Sequence, residues 1–173
     1  LATKLEGTYL PQADVRRYRV DGGPYPCVNE GSFYRAHHGS DWIIQRHTLR
    51  ERGVVVTGPL LKPMIDPVPP EDLRSAVTGF LDSWWRPMLD NPDPRLGDGE
   101  YQSYAVLTMC RTLYTLQFGE VVSKSQAAAW AQTTLAPRWT DLIRWSAAWR
   151  KGAQAGRKEA VLEFIGYVVQ EML

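Results

Sequence analysis

The chain has 173 residues, 44% of them apolar and 23% charged, enough for one domain, or one and a part, with a buried core. Twenty Lys and Arg against nineteen Asp and Glu leave a net charge of +1, so bulk charge points to no polyanion partner. The composition also excludes a disordered tail, a collagen-like repeat and a disulfide scaffold. Cys27 and Cys110 lie far apart, which fits a reduced, cytoplasmic protein, and no apolar run nears the roughly 18 residues that span a bilayer. The start at Leu1 rather than Met leads us to expect a piece of a longer protein.

Residues 1–38 mix aromatic and β-branched residues in Leu5–Leu10 and Val15–Val20, separated by Pro11 and followed by the turn-rich Asp21-Gly22-Gly23-Pro24-Tyr25-Pro26. This pattern predicts one or two short strands and then a long loop. Two strands cannot make a stable sheet alone, so they pack on helices or end a sheet lying upstream. Ser40 is placed to cap a helix running to about Arg52, with Gly53 ending it. Val54–Thr57 then reads as a short extended piece closed by Gly58-Pro59, and the Pro-rich Lys62–Pro70 cannot be helical throughout.

Pro70 suits the first turn of a helix, with Glu71 and Asp72 beside the N-terminal dipole. Leu73, Val77, Phe80, Leu81, Trp84 and Trp85 recur at helical spacing until Pro87 stops the run. After the polar turn Asp90–Gly99, a long helix is predicted from about Tyr101 to Phe118, apolar nearly all round and ended by Gly119. Ser123 and Gln126 form a capping box at the start of Lys124 to about Leu135. Pro137 opens a helix bearing Trp139, Leu142, Ile143 and Trp149, Gly152–Gly156 breaks the chain, and Val161 to Met172 forms an amphipathic stripe. The predicted fold is mainly α: a bundle of five or six helices with a small β-containing N-terminal segment.

Few residues carry chemistry by spacing alone. His37, His38 and His47 lack a Cys partner and metal-site spacing, and read as turn and helix-face histidines, so no metal ligand is assigned. Arg111 stands in the most apolar helix, where a guanidinium needs a partner: either a structural ion pair or snorkelling contact, or a carboxylate or phosphate ligand. Lys124 opposes the dipole at a helix start, so with Ser123 it is either an ordinary surface lysine or part of a phosphate-binding corner. Glu6, in a strand-like piece, either faces water or serves as a general base. Trp84, Trp85, Trp130, Trp139 and Trp149 fall at packing positions, whereas Trp42, beside His37–Asp41, is a candidate pocket wall.

The order of segments is similar to a known family. Trp42–His47, Thr57-Gly58-Pro59 and Asp66-Pro67-Val68 resemble the C-terminal half of aminoglycoside adenylyltransferases. The block Tyr104–Thr115, continuing through Gly119–Lys124 to Ala127–Ala131, resembles the spectinomycin/streptomycin nucleotidyltransferases. The similarity covers about residues 40–170 and, more loosely, 1–38. It implies that residues 1–38 are the end of an α/β nucleotidyltransferase domain and 39–173 a C-terminal helical domain. AMP would then pass from ATP, with Mg²⁺, to a hydroxyl of an aminoglycoside-like or other small acceptor.

By the same resemblance, Lys124, Ser123 and Arg111 meet the nucleotide, and Glu6 matches the general base. Trp42, Asp98, Glu100, Tyr101 and Tyr104 belong to the acceptor pocket. Tyr101 occupies the place where antibiotic-modifying members carry an acidic residue, with Glu100 and Asp98 close by. The Gly-Ser and Asp-x-Asp metal motif of the family is absent from the sequence, which implies that this stretch alone is inactive and holds neither Mg²⁺ nor ATP tightly. The remaining expectations are a monomer or weak dimer with no nucleic-acid or membrane partner. The alternative is a non-catalytic helical module that binds a nucleotide or dimerises.

Overall fold

The computed structural model describes residues 5–153 and 156–170. The chain divides into two compact units, Leu1–Asp72 and Leu73–Leu173.

In the first unit a three-stranded antiparallel sheet has the order β1 (Glu6–Thr8), β2 (Tyr25–Asn29), β3 (Ser32–Ala36). Its hairpin pairs Asn29 with Ser32, leaving Glu30-Gly31 as a two-residue turn with φ of 48° and 83°. Two successive left-handed residues make a primed turn, whose twist matches that of the flanking strands. The second and third strands therefore lie where a loop was expected, and the strand expected at Val15–Val20 is absent. Gln12–Arg16 is instead a short helix, α1, opened by Pro11 and carrying Asp14 in its first turn and Arg16 in its last.

Helix α2 spans Asp41–Arg52 as its pattern implied, although the Ser40 side chain makes no capping bond. It ends at Gly53, whose N–H still bonds to the Leu49 carbonyl and where a Cβ would lie 2.3 Å from that oxygen, so glycine fits there. Buried Arg46 on α2 donates from Nη2 (2.6 Å) and Nε (3.2 Å) to the Asp14 carbonyl of α1. The stretch after Gly53 forms no strand, and Val54 and Val56 stand almost fully exposed.

The second unit is built around one helix. The unit boundary falls in the first turn of α3 (Pro70–Phe80), which runs into a π-helical turn, Leu81–Trp85, and then α4 (Pro87–Asp90). The expected stop at Pro87 is thus a bulge. Arg86 N–H reaches back to the Leu81 carbonyl, and the widened turn accommodates the missing proline N–H. Helix α5 (Gly99–Phe118) starts two residues earlier than expected, because the Asp98 carboxylate accepts the Glu100 N–H at 2.6 Å. It is followed by α6 (Lys124–Thr134), α7 (Thr140–Ala148) and α8 (Lys158–Gln170).

Ala105, Val106, Met109 and Cys110 of α5 are fully buried against small residues of α6 (Ala127, Ala128, Ala131) and larger ones of α7 and α8, chiefly Ile143, Phe164 and Ile165. Each large side chain buried here contributes about 2 kcal/mol. The α8 stripe is present from Val161 to Val169, and Met172 lies outside the described residues, as does part of the Gly152–Gly156 break. The observed fold is mainly α with a small N-terminal sheet. No helix is long and apolar enough to cross a membrane among the described residues.

Candidate functional site

Tyr101, Tyr104 and Arg111 sit at helical spacings that place them along one face of α5. Gly119 then turns the chain in the left-handed region (φ 67°), and Thr115 Oγ1 donates to the Glu120 carbonyl across the turn. Ser123 starts α6 with a complete capping box: its hydroxyl accepts the Gln126 N–H, and the Gln126 side chain accepts the Ser123 N–H, both at 3.2 Å. This geometry brings Lys124 Nζ to 4.5 Å from the centre of the Tyr104 ring.

Lys124 is half-buried, and its pKa is lowered first by that burial and then by the positive charge of Arg111, itself half-buried. Among the described residues no carboxylate offsets this effect at Lys124. Two of the three residues read as a nucleotide corner, Arg111 and Lys124, therefore stand close enough for one to act on the other, with Ser123 fixing the helix start between them. The Ser123 hydroxyl is engaged within its own turn.

Tyr101 and Tyr104 stack with ring centres 5.7 Å apart, and the Arg95 guanidinium lies 4.5 Å from the centre of Tyr101. Arg95 is held there by a fork onto Asp93 (Nη2–Oδ2 2.6 Å, Nε–Oδ1 3.0 Å), which keeps the Asp93 carboxyl below its ordinary pKa range. Burial raises the Tyr101 hydroxyl pKa, against opposing effects of Trp84 and Arg95. Trp84, assigned to packing by its spacing, is instead 42% exposed and 5.7 Å from the Arg95 guanidinium. The sequence contains one signal for this arrangement: Asp93-Pro94-Arg95 is a turn in which the carboxylate two residues back can hold the arginine.

Asp98 and Glu100 line a separate cleft of about 330 Å³ with Trp149 and Lys151. The second unit's acceptor-pocket candidates thus fall into two groups, tyrosines by Arg95 and acids by Lys151.

The other two candidates belong to the first unit. Glu6 is exposed on β1, opposite Asn29 of β2. Trp42 lies flat on the buried His38 ring, with centres 3.4 Å apart and planes 1° from parallel. Neither ring nitrogen of His38 has a hydrogen-bond partner, and burial, then Arg46, lowers its pKa to about 4. A cavity of about 470 Å³ in this unit is lined by Arg16, Arg17, Arg46 and Asp66, with Arg16 and Arg17 both paired with Asp66 and Arg46 bound to the Asp14 carbonyl.

Among the described residues no group of three or more His, Cys, Asp and Glu side chains is placed to hold a metal ion. These residues therefore do not fit the Mg²⁺ pair that the sequence resemblance implies.

Residues 63–172, which include Asp98 to Tyr104, Arg111, Ser123 and Lys124, match the family model described as "Aminoglycoside adenylyltransferase, C-terminal domain". The chain belongs to this family. Aminoglycoside (3'') (9) adenylyltransferases of Klebsiella pneumoniae and Escherichia coli are 30% identical to it over 145 and 146 residues. Each alignment covers 82% of this chain and 52% of the relative, so the chain spans about half the length of the curated relatives it matches. The fold is shared with the spectinomycin adenyltransferase of Enterococcus faecialis solved with ATP and spectinomycin: TM-score 0.73 at 17% identity, over 96% of this chain and 67% of that one.

Proposed function

We propose that the chain is the C-terminal part of a nucleotidyltransferase that moves AMP from ATP to a hydroxyl of a small acceptor. The observation that carries this reading is the juxtaposition of Lys124 and Arg111. Lys124 is a half-buried cation further disfavoured by the charge of Arg111, and a polyphosphate relieves it. The family match, and the ATP with which the Enterococcus enzyme was solved, support the same assignment.

In the reaction the acceptor oxygen attacks the α-phosphorus of ATP, the bond to the bridging oxygen breaks, and pyrophosphate leaves. Lys124 and Arg111 offset the charge that grows on the departing phosphates, and Ser123 keeps Lys124 at the helix start. Glu6 takes the proton from the acceptor hydroxyl, a role its exposed place on β1 permits. Tyr101 and Tyr104, stacked on one another along α5, supply aromatic surface for the acceptor. Residues 1–38 would then close the nucleotidyltransferase domain, in a protein we read as a cytoplasmic monomer or weak dimer. Whether it acts on antibiotics follows from the acceptor.

The test is titration of the 173-residue chain with a non-hydrolysable ATP analogue by calorimetry. Binding should weaken about tenfold or more in Lys124→Ala and in Arg111→Ala. Equal affinity of the wild type and both variants would remove the phosphate role.

A further inference from the structure

The proposed transfer makes no use of the cavity of about 470 Å³ in the first unit, a size that holds a small organic molecule. Three guanidinium groups line it, Arg16 and Arg17 from the end of α1 and Arg46 from α2, beside two carboxylates, Asp66 and Asp72. Ile43 of α2 and the Pro67-Val68-Pro69 run, whose prolines fix the backbone, add an apolar wall. The Asp66 N–H donates to the Arg16 carbonyl at 3.1 Å and ties that wall to α1. Asp66 accepts one nitrogen from each exposed arginine, Arg16 Nη1 on Oδ1 (3.1 Å) and Arg17 Nε on Oδ2. One carboxylate thus serves two guanidinium groups, each of which keeps further N–H donors. Arg46 is only 3% exposed, and its hydrogen bonds go to carbonyl oxygens, of Asp14 (2.6 and 3.2 Å) and Trp42 (3.4 Å). The Asp14 carboxylate acts on it through space, and burial still lowers the Arg46 pKa. A buried guanidinium held by carbonyls alone is a costly charge that an anion would stabilise.

We infer that this cavity is a binding site for a phosphate monoester with a small flat or apolar body. A phosphate dianion offers three acceptor oxygens and close to two negative charges, which suits guanidinium groups brought together from α1 and α2. The two oxygens of Asp66 meet only Arg16 and Arg17. Asp66 holds those two side by side and competes with the phosphate for them, while Ile43 and Val68 take the body of the ester. The site is independent of the nucleotidyl-transfer reading, because all its residues lie in the first unit and none has a role in that reaction.

The experiment is calorimetric titration of the 173-residue chain with phenyl phosphate, beside benzoate and inorganic phosphate. Phenyl phosphate should bind about tenfold tighter than either, and added salt should weaken it. Arg16→Gln with Arg17→Gln, both at exposed positions where folding is little affected, should weaken it about tenfold or more. Asp66→Asn keeps the backbone bond to Arg16 and removes the competing charge, so it should tighten phenyl phosphate about threefold, a gain that a merely structural Asp66 would not give. Circular dichroism of each variant checks that it folds. No binding of phenyl phosphate at millimolar concentration, or equal affinity in the wild type and the double arginine variant, overturns the inference. So does binding that is lost in Lys124→Ala and kept in the double variant, which would put the phosphate on the second unit.

Discussion

At the scale of single residues, what sets each group apart is its desolvation and the charge beside it. His38 is neutral in the folded chain, with a pKa near 4, while the unfolded chain titrates near the ordinary 6.5. The unfolded state therefore binds the extra proton first, and stability present above about pH 6.5 should be lost as pH falls toward 4. The loss is at most about 3.5 kcal/mol, at about 1.4 kcal/mol per unit. His38→Phe keeps a ring on Trp42, so its urea midpoint should fall less across this window; parallel pH curves for the two proteins would show that His38 is not the group responsible. Lys124 and Arg111 divide differently. Lys124 is half-buried where the sequence allowed an exposed lysine, yet its fixed contact is a ring face, so Lys124→Ala should change stability by less than about 1 kcal/mol while weakening nucleotide binding. Arg111→Ala, within the central helix, should cost both, as thermal melts beside the titrations would show. Both thiols are buried, and burial pushes Cys110 up to about 12, so neither should react with a thiol reagent until the chain unfolds.

At the scale of elements, legibility followed periodicity and caps. Helices α5, α6 and α8 could be read because Val106, Met109 and Cys110, or Val161, Ile165 and Val168, repeat at helical spacing, and because Ser123, Gln126 and Gly119 carry local chemistry that tertiary structure has little reason to override. Strands β2 and β3 could not. Pro26 argues against a central strand, and Ser32–Ala36 shows no alternation because almost the whole strand is exposed. Val15–Val20 has β-branched ends, yet Pro11 and Gln12-Ala13-Asp14 before it favour a helical turn. The caps are measurable. Ser123→Ala removes the acceptor for the Gln126 N–H and should cost about 1 kcal/mol. Phe164→Ala, at the centre of the core, should cost about 3–5 kcal/mol. Chemical denaturation ranks the two, and a cap loss as large as the core loss would mean that Ser123 contributes more than its capping bond.

At the scale of the whole molecule, the sequence reads the site by chemistry and misses it by proximity. Lys124 and Arg111 stand out because each is a cation where local energetics disfavours one, and the fold leaves Lys124 within reach of the charge of Arg111. Arg95 and Trp84 stay hidden because a π turn and a short 3₁₀ turn set their directions, and neither turn has a period to read. The same reasoning, applied to catalysis, gives the last expectation. Moving AMP requires cations on the phosphates, a base for the acceptor proton and neutralisation of the reacting phosphate's own charge. In the proposed reading Lys124 and Arg111 provide the first, and Glu6 is the candidate for the second. For the third, its described residues offer no carboxylate cluster to hold Mg²⁺. The 173-residue chain should therefore bind the ATP analogue only weakly and transfer no AMP. Mass spectrometry of acceptor incubated with chain, ATP and Mg²⁺ should show no mass gain of adenylate, under conditions where a full-length relative gives product. Magnesium-dependent adenylate on the acceptor, made by the chain alone, would place the metal carboxylates in a cluster that its described side chains do not form.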